Sequence, residues 1–121
     1  MNDPNQLQSK NPLKQTAIAI FEAGLRAVAP GACVARHVTV SGSRLHVCGT
    51  DMDLNRIQHI YVAGAGKASA AMAEEVEKVL DSRIHDGVVV TKYGHGLPLN
   101  YCRVMEAGHP VPDENGMSGA T

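Results

Sequence analysis

Hydrophobic positions in this chain fall into blocks of differing period, and the period changes where glycine or proline intervenes. Residues Met1 to Lys10 are rich in Asn, Gln, Asp and Lys and carry no period. Residues 1–11 therefore read as a flexible lead-in to a domain over residues 12–121. Asn11-Pro12 has the form of a helix start, an N-cap side chain before a first-turn proline. Leu13, Ala17, Ile20, Phe21, Leu25 and Val28 then recur at three- and four-residue intervals. The spacing predicts one amphipathic helix from Pro12 to about Ala29, stopped by Pro30-Gly31. From Val34 to Val47 the pattern alternates, with Val38 and Val40, then Leu45 and Val47, flanking Ser41-Gly42-Ser43; a short β-hairpin is expected. Gly49 to Asn55 is polar and reads as a connection.

Ile57 to Ala63 suits a strand covered on both faces. Lys67 to Leu80 consists largely of good helix formers, with Met72, Val76, Val79 and Leu80 on one stripe and Glu74, Glu75 and Lys78 off it. Met72 is expected to fill core. Gly87 to Thr91 and Cys102 to Ala107 are further apolar runs of strand character. Strand, helix, strand in this order predicts an α/β fold: a Rossmann-like parallel sheet with covering helices and a right-handed crossover, preceded by a helix and a short β-hairpin. Val111 to Glu114 resembles another helix start with Asp113 as N-cap, and the chain stops at Thr121 within about two turns of it. The expectation is a domain truncated at its C-terminal end.

Composition narrows the function classes. The 121 residues are 44% apolar, 19% charged and 3% aromatic, and 11 basic against 12 acidic side chains leave a net charge of −1. Such a chain offers neither a field nor a stacking surface for nucleic acid, so no nucleic-acid partner is expected. Nothing approaches a bilayer-spanning apolar run or a signal peptide, which predicts no membrane partner and a cytoplasmic location. Cys33, Cys48 and Cys102 are odd in number and widely spaced, as buried reduced thiols would be. The six histidines show no close pairing and no Cys-x-x-Cys occurs, so no metal site is assigned.

Three stretches could carry chemistry, each placed after a strand. In Ala63-Gly64-Ala65-Gly66-Lys67-Ala68-Ser69, Gly64 and Gly66 permit a tight turn and close approach of a ligand. The following helix N-terminus favours an anion, and Lys67 adds a full charge. A Walker A loop would need glycine where Tyr61 stands. A dinucleotide fingerprint would need glycine at Ser69 and an acid after the next strand, where Lys92 occurs. The plainer alternative is a structural turn with a solvated lysine. In Thr91-Lys92-Tyr93-Gly94-His95-Gly96, Lys92 and His95 would share a sheet edge with Lys67, although a loop histidine is commonly just a surface group. In Glu106-Ala107-Gly108-His109-Pro110-Val111-Pro112-Asp113, two prolines rigidify a loop bearing His109 and Asp113, either to build a site or only to end a strand and cap a helix.

Together, Ile60 to Ala73, Val89 to His95 and Glu106 to Glu114 resemble the N-terminal domain of the glycerate 2-kinase family, many of whose members are labelled hydroxypyruvate reductase. The resemblance runs from roughly Pro12 to the end. It implies a two-domain enzyme that uses ATP and Mg2+ to phosphorylate D-glycerate in an interdomain cleft. Lys67, His95 and His109 would be catalytic residues, with Gly64, Gly66, Ser69, Lys92 and Asp113 binding substrate or phosphate. The second domain of the same polypeptide is missing from this sequence. The isolated chain is therefore expected to be inactive in phosphoryl transfer, with possible self-association through exposed apolar surface. Two other readings stand beside it: a hydroxypyruvate reductase, and a non-catalytic anion- or nucleotide-binding fragment.

Overall fold

The structure, a computed structural model, describes residues 11–121; of the lead-in expected at 1–11, residues 1–10 lie outside them and Asn11 is the N-cap of the first helix. Helix α1 (Pro12–Ala27) begins as the sequence predicts, with Asn11 Oδ1 accepting the Leu13 N–H at 3.0 Å and Pro12 in the first turn. Pro30, expected only to stop a helix, also starts one: α2 spans Pro30–His37, bent 48° from α1. A proline lacks only an amide hydrogen that a first turn leaves unused, so one residue both ends α1 and opens α2. Val34 is accordingly buried in α2 rather than placed in a strand. No single helix among the described residues is long and apolar enough to cross a membrane, and α1 with α2 passes that test only as a bent pair.

The expected hairpin is a three-stranded antiparallel sheet. Strands β1 (Val38–Ser41) and β2 (Arg44–Val47) pair as anticipated, with Val40 opposite Leu45, and β3 (Thr50–Asp53) adds to β2. This third strand lies in a segment read as a connection. Its residues are Thr-Asp-Met-Asp, and only Met52 turns inward. An exposed edge strand shows little of the hydrophobic alternation by which strands are recognised.

The second sheet is parallel, in the order β4 (Ile60–Ala65), β5 (Ile84–Lys92), β6 (Cys102–Ala107). Helix α3 (Ser69–Leu80) crosses between β4 and β5, and a short α4 (Glu114–Ser118) follows β6 with Asp113 as its N-cap. Contrary to expectation, β4 is covered on one face only. Val62 packs beside Ala70, Ala73 and Val89, whereas Tyr61, Ala63 and Ala65 are exposed. The buried stripe of α3 also differs from the expected one: Ala70, Ala73, Glu77 and Leu80 are buried and Met72 is 45% exposed. Small side chains bring α3 close to the sheet, and Gly87 does the same beneath it. A Cβ there would stand 2.5 Å from Cys102 Sγ and 2.9 Å from Val62 O. A second cluster, built on Leu45, Leu80 and Ile84, joins the two sheets through Val40, Ile60 and Val76.

Glu77 is 6% exposed yet faces inward, because its carboxylate accepts three backbone N–H groups: Asn100 at 2.7 Å, Tyr101 at 2.8 Å and Cys102 at 2.8 Å. Burial raises its pKa, but the three amide bonds outweigh that effect and hold it below its ordinary value. Of the cysteines, all free, only Cys102 is buried; Cys33 is intermediate and Cys48 exposed, which corrects the expectation of three buried thiols. Burial, then the neighbouring Glu77, pushes the Cys102 thiol up to about 11.

Glu77→Ala strands three amides and should lower unfolding stability by about 3 kcal/mol or more in urea titration; Glu77→Gln, which keeps one acceptor oxygen, should cost less. Because the folded-state value is lowered, the advantage of the wild type over Glu77→Gln should be complete above the ordinary 4.5 and shrink as pH falls below it. A thiol reagent at pH 8 should modify Cys48 promptly and reach Cys102 only on unfolding, as mass spectrometry of the digested protein would report.

Candidate functional site

Parallel strands bring their C-terminal ends to one edge of a sheet, where Ala65 stands opposite Val90 and Lys92 opposite Ala107. The glycine turn leaves this edge after β4. Gly66 has φ +114°, a conformation that side-chain-bearing residues rarely adopt. Its N–H donates to Val90 O at 3.0 Å, and its carbonyl accepts both the N–H and the hydroxyl of Ser69, at 3.0 and 2.6 Å. The same hydroxyl lies 3.1 Å from Val90 O. Ser69 is thus buried and locks the turn onto β5, while the N–H groups of Lys67 and Ala68 make no bond within the turn. Ala68 caps α3 without a side-chain hydrogen bond, so the positive end of a three-turn helix is open.

Lys67 is exposed, and its ammonium forms no hydrogen bond or ion pair with the described residues. Gly64, Gly66, Lys67 and Ser69 line one cleft of about 400 Å³, floored by Val62 and Val89 and flanked by Met72. Met72, expected in the core, is therefore part of the cleft wall.

The other expected residues share the sheet edge but do not line that cleft. Lys92 and His95 sit in a turn closed by the His95 N–H on Lys92 O at 3.0 Å, and neither side chain has a partner among the described residues. His109 is likewise exposed and unpartnered. Asp113 is engaged: it accepts the Tyr93 hydroxyl at 2.6 Å and the Gly116 N–H at 3.2 Å, which caps α4. Asn115 Nδ2 donates to the Tyr93 hydroxyl oxygen at 2.8 Å. The Tyr93 hydrogen bond, ahead of the Gly108 amide, lowers the Asp113 carboxyl, and Asp113 in turn raises the Tyr93 phenol.

Sequence reasoning misses the parts that hold these loops. Tyr93 fastens the loop after β5 to the loop after β6, and Glu106 Oε1 accepts the Gly96 N–H at 2.8 Å to fix the His95 turn from below. Thr91, 2% exposed at the end of β5, has a hydroxyl without a partner among the described residues. Tyr93 and Asp113 are 20 residues apart, and no local spacing signals their bond.

The family model for a domain of unknown function, DUF4147, matches residues 16–121. The chain belongs to that family. It is 36% identical over 108 residues to a glycerate 2-kinase of Pyrococcus horikoshii, covering 89% of this chain and 24% of the relative. It is 40% identical over 104 residues to a D-glycerate 2-kinase of Thermotoga maritima, covering 85% and 22%. A putative hydroxypyruvate reductase of Agrobacterium vitis is 51% identical over 59 residues, 49% of this chain and 15% of that protein. The fold matches a crystal structure of a Pyrococcus horikoshii protein with a TM-score of 0.75 at 34% identity, over 93% of this chain and 25% of that one. A Thermotoga maritima glycerate kinase structure gives 0.60 at 41%, over 85% and 22%. The resemblance to glycerate 2-kinases read from the motifs and the Rossmann-like α/β class both stand, and the chain spans about a quarter of the length of the curated relatives it matches.

Nothing lies within 4 Å of a Cβ built on Gly66, so Gly66→Ala tests backbone conformation alone. It should destabilise the fold by about 1–3 kcal/mol in urea titration, the cost of forcing a side chain into that region.

Proposed function

We propose that residues 12–121 form the N-terminal part of an ATP-dependent D-glycerate 2-kinase, and that its glycine turn binds the phosphate end of the nucleotide. The observation that carries this reading is the unpartnered Lys67 ammonium beside the unbonded amides of Lys67 and Ala68 at an open helix N-terminus. That combination is a ready-made anion site on the ligand edge of a parallel sheet.

Bound ATP would supply the phosphoryl group. Within the site, Lys67 neutralises charge that spreads over the phosphoryl oxygens, and the two amides orient them; positioning and charge stabilisation are what this reaction chiefly requires. Ser69 acts one step back, holding the turn against β5 so that the amides keep their direction. Lys92 is a second unpaired ammonium on the edge and suits the carboxylate of D-glycerate. His95 and His109 are the edge groups able to take a proton from the acceptor hydroxyl. Asp113, tied to Tyr93 and α4, holds the His109 loop. Among the described residues no group of three or more His, Cys, Asp or Glu could hold a metal ion, so Mg2+ would enter chiefly on the phosphates of the nucleotide. The cleft is open to solvent, and sequence beyond this chain would supply the facing wall that excludes water.

The reductase reading draws on the name of the Agrobacterium vitis relative. Against it stand Ser69, wedged where a dinucleotide turn needs glycine, and Lys92, where an acid is needed for the ribose.

The test is a chimera in which this chain replaces the equivalent portion of the Thermotoga maritima enzyme. It should phosphorylate D-glycerate with ATP, and Lys67→Ala should lower kcat at least about 100-fold. Unchanged turnover in the Lys67→Ala chimera would remove Lys67 from the mechanism. Oxidation of NADH by hydroxypyruvate in place of phosphoryl transfer would favour the reductase.

A further inference from the structure

The opposite end of the parallel sheet carries a second depression. A cleft of about 530 Å³ opens where the β1–β2 turn, the link before β4 and the short 3-10 turn after α3 meet. Its polar lining comes from Ser43, Asn55, Gln58, Ser82, Arg83 and His85, and it includes no carboxylate. It lies at Ile60 and Ile84, the starts of β4 and β5, whereas the glycine turn follows Ala65; the length of β4 puts about 20 Å between them.

Three features make this more than a wet groove. First, Arg83 forms no hydrogen bond or ion pair with the described residues, although carboxylates are close in sequence. Those two are committed elsewhere, Asp81 accepting the Tyr101 hydroxyl at 2.7 Å and Asp86 pairing with Arg103 at 3.7 Å, and Asp53, next to the Leu54-Asn55 wall, accepts the Asn55 N–H at 3.0 Å. Second, the walls are pinned. The Leu54 N–H donates to Ser43 O at 2.7 Å, joining link to hairpin turn. Arg83 itself stands between Leu80 and Ile84, both 4% exposed in the core. Third, the His85 ring is held by its neighbours, with its centroid 4.3 Å from that of His59 and 5.3 Å from that of Tyr61, the latter edge-on.

From these observations we infer that this cleft is a second anion site, taking a small molecule with a phosphate or carboxylate group. The planar fork of Arg83 matches two oxygens of such a group at once. Ser43 and Ser82 can donate to the remaining oxygens, and the amides of Asn55 and Gln58 suit hydroxyls on the same ligand. The inference does not depend on what the glycine turn binds.

The experiment uses the 121-residue chain labelled with 15N and titrated separately with inorganic phosphate and with malonate, at constant ionic strength. Saturable shifts of the Gly42, Ser43, Ser82 and His85 amides with either probe are expected, and the probe that saturates at lower concentration identifies the preferred oxyanion. Arg83→Gln should weaken this binding by about tenfold or more and Arg83→Lys by less, since lysine keeps the charge but loses the fork. Lys67→Ala should leave it unchanged. Linear, non-saturating shifts with both probes, or saturation equally tight in Arg83→Gln whose remaining spectrum shows the native fold, would overturn the inference.

Discussion

The Glu77 carboxylate solves a problem set by the topology. Between β5 and β6 the chain runs nine residues without helix or strand, and a parallel neighbour must still begin in register with Gly87 opposite Cys102. Backbone amides in such a segment need acceptors, and a buried carboxylate needs donors. Placing Glu77 on the inner face of α3 satisfies both requirements, because three successive amides converge on its two oxygens. The charge is balanced by amide dipoles rather than by a cation, so the bond is directional and fixes where β6 starts. The register of β6 then fixes Ala107 beside Lys92, Glu106 beneath the His95 turn, and the loop that Asp113 ties to Tyr93. The position of the β6 end of this sheet edge is therefore set by one side chain on α3.

What sequence reasoning reaches and what it misses divide along the range of the interactions. Local signals are legible. Asn11 and Asp113 cap the helices they were expected to cap, the Ala-rich α3 and the β-branched β5 take the expected form, and the glycine turn falls between β4 and α3. Elements that rely on distant partners are not. Helix α2 has eight residues, too short for a period to establish itself, and its proline reads equally as a stop or a start. Strand β3 is polar because its side chains mostly face solvent. Glu77 looks like one more acid on a solvated face, since the amides that bury it lie 23 to 25 residues away.

The site shows the same division. Lys67 and the two glycines are visible as a motif, and they line one cleft, which Lys92 and His95 do not join. Ser69 has the right position and a different occupation: its hydroxyl proton is directed at backbone carbonyls, which makes it part of the support for the turn. Half of the turn's amides are used in the same way, which leaves the amides of Lys67 and Ala68 and the helix end without backbone acceptors. Lys92, His95 and His109 stand along the edge without partners, outside the cleft.

Local stability follows from the same packing. Helix α1 buries no residue at all, and Leu13, Ile20, Phe21, Leu25 and Val28 are each more than half exposed. Its order rests on the Asn11 cap and on helix propensity, which are marginal for a 16-residue segment in water. At the other extreme, β5 is central in its sheet, and Val89 is fully buried between β4, β6 and α3. Regions with few buried contacts open first, and regions of dense packing open only with the whole domain. The glycine turn is bonded directly to β5 through Val90 and to α3 through Ser69. Lys67 is thus an exposed, unpartnered side chain on a turn bonded directly to the buried centre of the sheet.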